Sequence, residues 1–317
     1  MTSRSTSSPS ASMTRVRRAH TIDRIATGVI WVAAALIVAL LGSIVLYLVV
    51  QGMKAITPGF LIHGAAKTLP GKFTTPAGSG IGPQLFNSAY FLVLTMAISV
   101  PLGLGGGIYM AEYMRPGRLA DAFRMCTEIL ASLPSIVVGL FGLLVFVNKT
   151  HWGYTLLGGA LAVSLLNLPV VVRVTEDSLR SVSNELREGS LALGAGRWLT
   201  IRTVLLPAAL PGLITGFILA SGRVFGEAAA LIFTAGVTTP DLNFGNLNPF
   251  SSASPLNPMR PAETLAVHIW KLNSESVLPD ARRIADGSAA VLIVAVLLFN
   301  IAARLLGRWV YRRSTAS

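Results

Sequence analysis

Two ionisable side chains, Arg223 and Glu227, interrupt the otherwise uncharged segment 205–235. An arginine at the centre of a bilayer costs at least about 2.5–3.5 kcal/mol, so it should face other protein groups and have a partner. On one continuous helix, a spacing of four residues places both side chains on the same face. Because a planar guanidinium suits phosphate oxygens, two interpretations stay open. The residues form a structural ion pair, or Arg223 binds an oxyanion and Glu227 holds it while the anion is absent.

Hydroxyl and amide side chains in other apolar segments are candidates for lining the same path. Ser132 and Ser135 are the strongest of them because they flank Pro134. Hydroxyls in membrane helices also bond to the backbone or to a neighbouring helix, so a structural role remains open for each. The weaker candidates of this kind are Asn87, Ser88, Thr95, Ser99, Ser164, Asn167 and Ser221.

Signatures of catalysis are missing from the sequence. Residues 66–73 come nearest to a phosphate-binding loop, but Ala66 stands where its first glycine is needed and Phe73 where Ser or Thr is needed. The histidines do not fall at metal-ligand spacing; they are His20, His63, His151 and His268. We therefore expect no catalytic residue, metal or cofactor in this chain, and any ATP must be bound by a partner subunit.

The composition is that of an all-α polytopic membrane protein. Of 317 residues, 52% are hydrophobic and 13% charged, about half the usual charged share of a soluble protein. The net charge of +12 comes from basic residues placed mostly between apolar runs. That placement is typical of membrane topology and does not form the basic stripe expected of a nucleic-acid-binding domain.

The apolar runs predict six transmembrane helices at residues 25–50, 81–111, 129–148, 152–172, 205–235 and 287–306. Residues 1–20 are predicted to be a disordered cytoplasmic tail, and 21–317 a transmembrane domain with an external loop at 237–285 that contains a short amphipathic piece near 265–272. The segments assigned to the cytoplasm hold 17 of the 26 Lys and Arg residues, which places both termini there.

The segment 176–207, between the fourth and fifth spans, is predicted to form a cytoplasmic elbow. Its sequence favours a helix up to Gly194, a Gly-Ala-Gly break, and a second helical run ending at Pro207. The small residues Gly189 and Ser190 would let another protein surface approach closely.

The spacing within this segment resembles the cytoplasmic loop of ABC importer permeases. That loop reads Glu-Ala-Ala, three residues, Gly, nine residues, Ile, one residue, Leu-Pro, and docks into a groove on the ATPase subunit. Here the pattern is kept with Gly and Ser in place of the two alanines and Val204 in place of isoleucine. The resemblance implies that the docking residues are Glu188, Gly189, Ser190, Gly194 and Ala195.

Three other stretches, 107–113, 133–140 and 223–230, are similar to the A-type permease of phosphate importers. The resemblance implies a type I importer permease fold in the bacterial plasma membrane and a path for phosphate through a heterodimer with a second permease. It also implies two ATPase subunits and an external phosphate-binding protein. Sulfate, molybdate or another solute remains an alternative cargo, and a membrane-embedded enzyme or scaffold is an alternative of a different class.

Overall fold

The computed structural model describes residues 9–62, 80–274 and 281–314, and within these ranges the regular elements are all helical. The helices are α1 (Pro9–Met53), α2 (Pro58–Ile62), α3 (Gly82–Ile108), α4 (Arg118–Ser132), α5 (Ser135–Gly142), α6 (Leu156–Arg180), α7 (Asn184–Ala192), α8 (Arg197–Thr200), α9 (Leu206–Phe225), α10 (Ala229–Thr234), α11 (Leu265–Ser274) and α12 (Ala281–Ser314). Wider π-helical turns extend α3, α5 and α8 at Tyr109–Tyr113, Leu143–Lys149 and Ile201–Leu205. The chain divides into two units, residues 1–50 and 51–317.

The first unit is the greater part of helix α1. Its stretch Asp23–Met53 is long and apolar enough to cross a membrane, as predicted for the first span. The prediction of a disordered tail is wrong from Pro9 onward, where the chain is already helical. Residues 10–27 contain neither proline nor glycine, so nothing in this stretch ends the helix. Residues 1–8 of the predicted tail lie outside the described part.

The second unit is built around close contacts between α3, α6 and α9. A Cβ atom on Gly103 of α3 would lie 2.5 Å from Cγ1 of Val171 on α6, and Gly107 is pressed equally closely against Thr175. Gly216 of α9 packs in the same way against another α6 side chain. Small residues at helix contacts let backbones approach, which is how membrane helices commonly pack.

The predicted third span, 129–148, is not one straight helix. The structure has α4 and the pair of α5 with its π-helical turn, bent by 93° at Leu133 and Pro134. Leu133 is extended, because the residue before a proline disfavours helical geometry. Among the described residues five helices can cross a membrane by length and composition, or six if this bent pair is one span.

The predicted fifth span, 205–235, is likewise interrupted. It begins earlier, because α8, its π-helical turn and α9 run on without the predicted stop at Pro207. It then stops at Phe225, and α10 begins at Ala229 after a break that contains Glu227. Arg223 lies in the last turn of α9, so the two charges stand on different elements.

The predicted external loop, 237–285, is anchored on the start of α3. Its predicted amphipathic piece is helix α11. Buried Arg260 donates from Nη2 to the Asn87 side-chain oxygen at 2.7 Å and to the Pro255 carbonyl at 2.9 Å. Burial lowers the pKa of the Arg260 guanidinium to about 10, so it stays charged at neutral pH. Buried Glu263 accepts from the amide of Gln84 at 3.4 Å, a second link between the loop and α3.

Candidate functional site

The elbow between α7 and α8 is closed by a backbone motif that needs a glycine. Gly194 has a φ of +85°, which is left-handed geometry. Its N–H donates to the Leu191 carbonyl at 3.0 Å, and the N–H of Ala195 donates to the Ser190 carbonyl at 3.2 Å. This pair of bonds is the Schellman arrangement that commonly ends a helix. The predicted Gly-Ala-Gly break is therefore a sharp, defined turn.

The predicted docking residues all lie on this elbow. Glu188, Gly189 and Gly194 are exposed, and Ser190 and Ala195 are half-buried. A Cβ atom on Gly189 would meet no other atom within 4 Å, so space for an approaching surface is open there. The Ser190 hydroxyl lies 3.0 Å from the hydroxyl of Thr200, which ties α7 to the far side of the elbow.

Large apolar side chains surround the same turn, and sequence reasoning missed them. Leu193 is 90% exposed, directly before the left-handed glycine. Water-exposed apolar groups gathered in one place mark a surface for another protein. The signal was present in the sequence as large apolar residues inside a segment otherwise read as polar and small. Its other members are Leu186, Leu191, Trp198 and Leu199.

Arg223 is exposed and makes no hydrogen bond or ion pair in the part of the chain that the structure describes. It lies at the carbonyl end of α9, where the partial negative charge of the helix end favours a cation. The predicted interior partner is therefore absent within this chain, and the guanidinium is available to another group.

Glu227 is not that partner, so the predicted four-residue pair is wrong in geometry. The Glu227 carboxylate accepts from the N–H of Ala230 at 3.1 Å and so caps the start of α10. The physical reason is that α9 ends at Phe225, with Gly226 as its C-cap, so Glu227 lies beyond the helix that carries Arg223.

The two charges nevertheless line one small recess. Val163, Leu166 and Asn167 of α6 complete it together with Val224. Asn167 is 1% exposed, and its amide nitrogen donates to the Ser99 hydroxyl at 3.0 Å. Its side-chain oxygen is buried without a partner among the described residues. A cation, a carboxylate and a buried amide thus lie around one narrow gap, which has no room for an anion in this conformation. Asn167 was only one weak candidate among many in the sequence.

Ser132 and Ser135 do not belong to the lining of that recess. They stand on either side of the bend between α4 and α5, which the sequence did not predict. The exposed Ser132 hydroxyl donates to the Ile129 carbonyl at 2.8 Å, which is a local backbone contact. Half-buried Ser135 is the first residue of α5.

Comparison with known sequences gives consistent matches. The family model of the binding-protein-dependent transport system inner membrane component matches residues 103–315. A probable ABC transporter permease protein, YqgI of Bacillus subtilis (strain 168), is 55% identical over 295 residues, which is 93% of this chain and 98% of that protein. The phosphate transport system permease protein PstA of Yersinia pestis is 35% identical over 77% of this chain and 79% of its own length. PstA 1 of Mycobacterium tuberculosis (strain CDC 1551 / Oshkosh) is 31% identical over 81% and 79%.

Solved structures share the fold at low identity. The MetNI methionine ABC transporter in an inward-facing form matches with a TM-score of 0.52 at 19% identity, covering 73% of this chain and 94% of that one. A bacterial alginate ABC transporter, in complex with an alginate pentasaccharide-bound periplasmic protein, gives 0.53 at 14% identity, covering 72% and 78%.

Proposed function

The chain belongs to the binding-protein-dependent transport system inner membrane component family, and we propose that it forms part of the path by which inorganic phosphate enters a bacterial cell. It is a multi-pass inner-membrane permease subunit of an ABC importer. Such permease subunits do not hydrolyse ATP, which is the task of a partner chain. This assignment removes the membrane-embedded enzyme and the scaffold as alternatives.

The observation that carries the proposal is the guanidinium of Arg223, which has no partner in the described part of the chain. An exposed arginine at the end of a spanning helix has the geometry to bind oxyanion oxygens with two parallel hydrogen bonds. Support comes from relatives named phosphate permeases, which are 31–36% identical across about three quarters of the chain. The name of the 55% identical relative carries no substrate.

Acceptors in the recess favour phosphate over sulfate or molybdate. Hydrogen phosphate carries a P–OH group at neutral pH, whereas sulfate and molybdate carry no proton. The Asn167 oxygen has no partner in the described chain, and we infer that it accepts from that hydroxyl once the helices around the recess have moved apart. An unmatched buried acceptor costs about 1–3 kcal/mol, so an anion without a proton would leave that cost in place.

Coupling to ATP is assigned to the elbow. We infer that a partner ATPase docks on Glu188, Gly189, Ser190, Gly194 and Ala195, with Leu193 inserting into its surface. The exposure of Leu193, 90%, together with that of the other large apolar side chains around the turn, supports this, because exposed apolar patches mark interaction surfaces. The docking side is then cytoplasmic, and both termini lie on that side.

The proposed assembly is a heterodimer of this chain with a second related permease, two ATPase subunits and an external phosphate-binding protein. The alginate transporter, described in complex with a ligand-loaded periplasmic protein, supports the external partner. The exposed position of Arg223 supports a second permease, because a cation within a span needs a covering surface.

Uptake of labelled phosphate tests the proposal in cells that lack other phosphate transporters but express the whole complex. Arg223→Gln should lower uptake by at least about tenfold, since a hydrogen bond to a charged group contributes about 1.5–3 kcal/mol. Arg223→Lys should retain only part of the wild-type uptake, because the lysine ammonium is a point charge without the two parallel donors of a guanidinium. Arg304→Gln, at an exposed arginine of α12, is the control and should transport normally. If the wild-type complex takes up sulfate or molybdate and not phosphate, the assignment of phosphate as the substrate is wrong.

A further inference from the structure

Helix α7, which carries most of the proposed docking residues, has no apolar anchor. None of its nine residues is buried. Only Arg187 and Ser190 are half-buried. The hydroxyl of Ser190 contacts that of Thr200 in α8, the helix that runs on into α9. Apart from this contact and the chain connections at its two ends, the position of α7 relative to the membrane helices therefore depends on what Arg187 contacts.

Arg187 forms an ion pair with a carboxylate on an element that is distant in sequence. Its Nη2 donates to Oε1 of Glu112 at 2.6 Å, and its Nε donates to Oε2 at 3.2 Å. The two parallel bonds make a fork that fixes direction as well as distance. The third nitrogen, Nη1, donates to Asn184 at 2.6 Å, which locks the guanidinium on its own helix. Side-chain exposure is 10% for Glu112 and 25% for Arg187, so water screens the pair only in part.

Glu112 stands on a rigid support. It lies in the π-helical turn Tyr109–Tyr113 that continues α3 without a break. Gly103 and Gly107 press α3 directly against α6, so that added Cβ atoms would collide with Val171 and Thr175. Closely packed helices of this kind move as one body, because their backbones have no room to slide. A displacement of α7 that pulls on Glu112 therefore reaches α3 and α6 together.

A second buried carboxylate, on α6, forms ion pairs that do not involve α7. Glu176 of α6, 3% exposed, binds Arg180 at 2.9 Å and Arg124 of α4 at 3.2 Å. Arg180 in turn donates to the Met110 carbonyl at 3.5 Å. These contacts join α4 to the α3–α6 pair but do not include α7. Glu112 is thus the membrane-helix carboxylate that holds the docking helix.

We propose that the Glu112–Arg187 pair is the strut that transmits movement of the ATPase-docking helix to the substrate-path helices. Both are positioning residues, since neither reaches the recess at Arg223. The inference rests on the proposed function, in which the elbow receives the ATPase. Loss of the strut should leave docking and ATP hydrolysis in place while ATP no longer drives transport efficiently.

The test uses the whole complex in proteoliposomes, with imported phosphate and hydrolysed ATP measured together. Glu112→Gln and Arg187→Gln should each lower phosphate imported per ATP by roughly fivefold or more, the usual range of coupling between sites. The ratio for Arg187→Lys should lie between those of the wild type and Arg187→Gln, because lysine keeps the charge but lacks the two parallel donors. The exchanged pair, Glu112→Arg with Arg187→Glu, should recover much of the ratio. Arg173→Gln is the matched control, since Arg173 binds Asp177 at 2.9 Å with both side chains 58% exposed.

Two results would overturn the strut. One is an unchanged ratio in both glutamine variants. The other is an exchanged pair that assembles with the ATPase but stays as poorly coupled as the single variants, which would mean that the site needs these residue types for another reason. A failure of the proposed function would give different results from a failure of the strut. The wild-type complex would then import no phosphate, or the ATPase would bind normally to a complex whose Leu193 or Gly194 had been replaced.

Discussion

The Glu227 carboxylate accepts a hydrogen bond from the Ala230 N–H at 3.1 Å, which fixes it at the start of α10. Arg223 remains unpaired in the described part of the chain although both residues line one recess. Glu227 is thus a helix cap first, and any action on a passing anion is exerted from that fixed position. A cap and a substrate acceptor make different demands on the side chain, so substitutions separate them.

Glu227→Gln should keep the fold and change transport. The amide oxygen of glutamine still accepts from the Ala230 N–H, so thermal stability of the detergent-purified complex should match wild type. Glu227→Ala removes the cap and should cost about 0.5–2 kcal/mol. If the carboxylate also acts on the anion, Glu227→Gln will release phosphate more slowly, visible as lower uptake at normal complex recovery. Equal uptake in Glu227→Gln and wild type would mean that Glu227 caps the helix and does not act on the anion.

Sequence patterns with local causes were predictable. The Gly-Ala-Gly break at the elbow follows from glycine's tolerance of left-handed geometry, and Gly194 adopts it. The apolar runs set the spans because a bilayer requires about 20 apolar residues. Helix α11 was found from its amphipathic pattern.

Features that depend on distant contacts were not predictable. Whether Gly226 ends a helix is undecided by its neighbours, since glycine also occurs inside membrane helices, and the pair of Arg223 and Glu227 was therefore placed wrongly. The 93° bend at Pro134 was missed because a proline kink and a full break look alike in sequence. Glu112 and Arg187 are 75 residues apart, so no spacing rule joins them.

Gly194→Val should weaken ATPase association and ATP-driven uptake. Valine at φ +85° is strained by roughly 1–2 kcal/mol, which opens the turn between α7 and α8. Gly196→Val is the control, because Gly196 is extended at φ −71° and ψ 160° and an added Cβ meets nothing within 4 Å. Recovery of the ATPase with the purified permease measures the effect. Loss in both variants would indicate that bulk at the elbow, rather than its turn, is what matters.

Leu193→Asp should abolish ATPase recovery without lowering the stability of the permease itself. The side chain is 90% exposed, so the substitution removes no internal packing but adds a charge to an apolar docking surface. Leu247→Asp in the external loop, 65% exposed, is the control and should leave the ATPase bound. Normal ATPase binding by Leu193→Asp would place the docking surface elsewhere.

Arg260→Met should loosen the external loop. It leaves the Asn87 oxygen and the Pro255 carbonyl without their donor, at a cost of about 1–3 kcal/mol in unfolding free energy. The folded pKa of about 10 lies below the ordinary value of an arginine, so both states hold the proton below about pH 9 and the deficit should be constant there. Above about pH 10 the unfolded state binds more protons at this group than the folded state, so wild-type stability should rise relative to the variant. Thermal unfolding from pH 6 to 11 measures both parts, and a deficit that varies below pH 9 would contradict the assignment.

Asn167→Leu should weaken the discrimination of phosphate from sulfate. The Asn167 oxygen has no partner among the described residues, and leucine of similar volume removes this acceptor. It also removes the donor to the Ser99 hydroxyl, so uptake is normalised to the complex recovered. Without the acceptor, a P–OH group on the passing anion loses about 0.5–1.5 kcal/mol of net hydrogen bonding, equivalent to a few-fold lower phosphate uptake. Sulfate has no such group, so its ability to compete with labelled phosphate should increase by the same factor. Ser99→Ala is the matched control, since it removes the partner of the Asn167 nitrogen and leaves the oxygen in place. If Asn167→Leu keeps wild-type uptake and the same weak competition by sulfate, Asn167 supports helix packing against α3 and takes no part in recognising the anion.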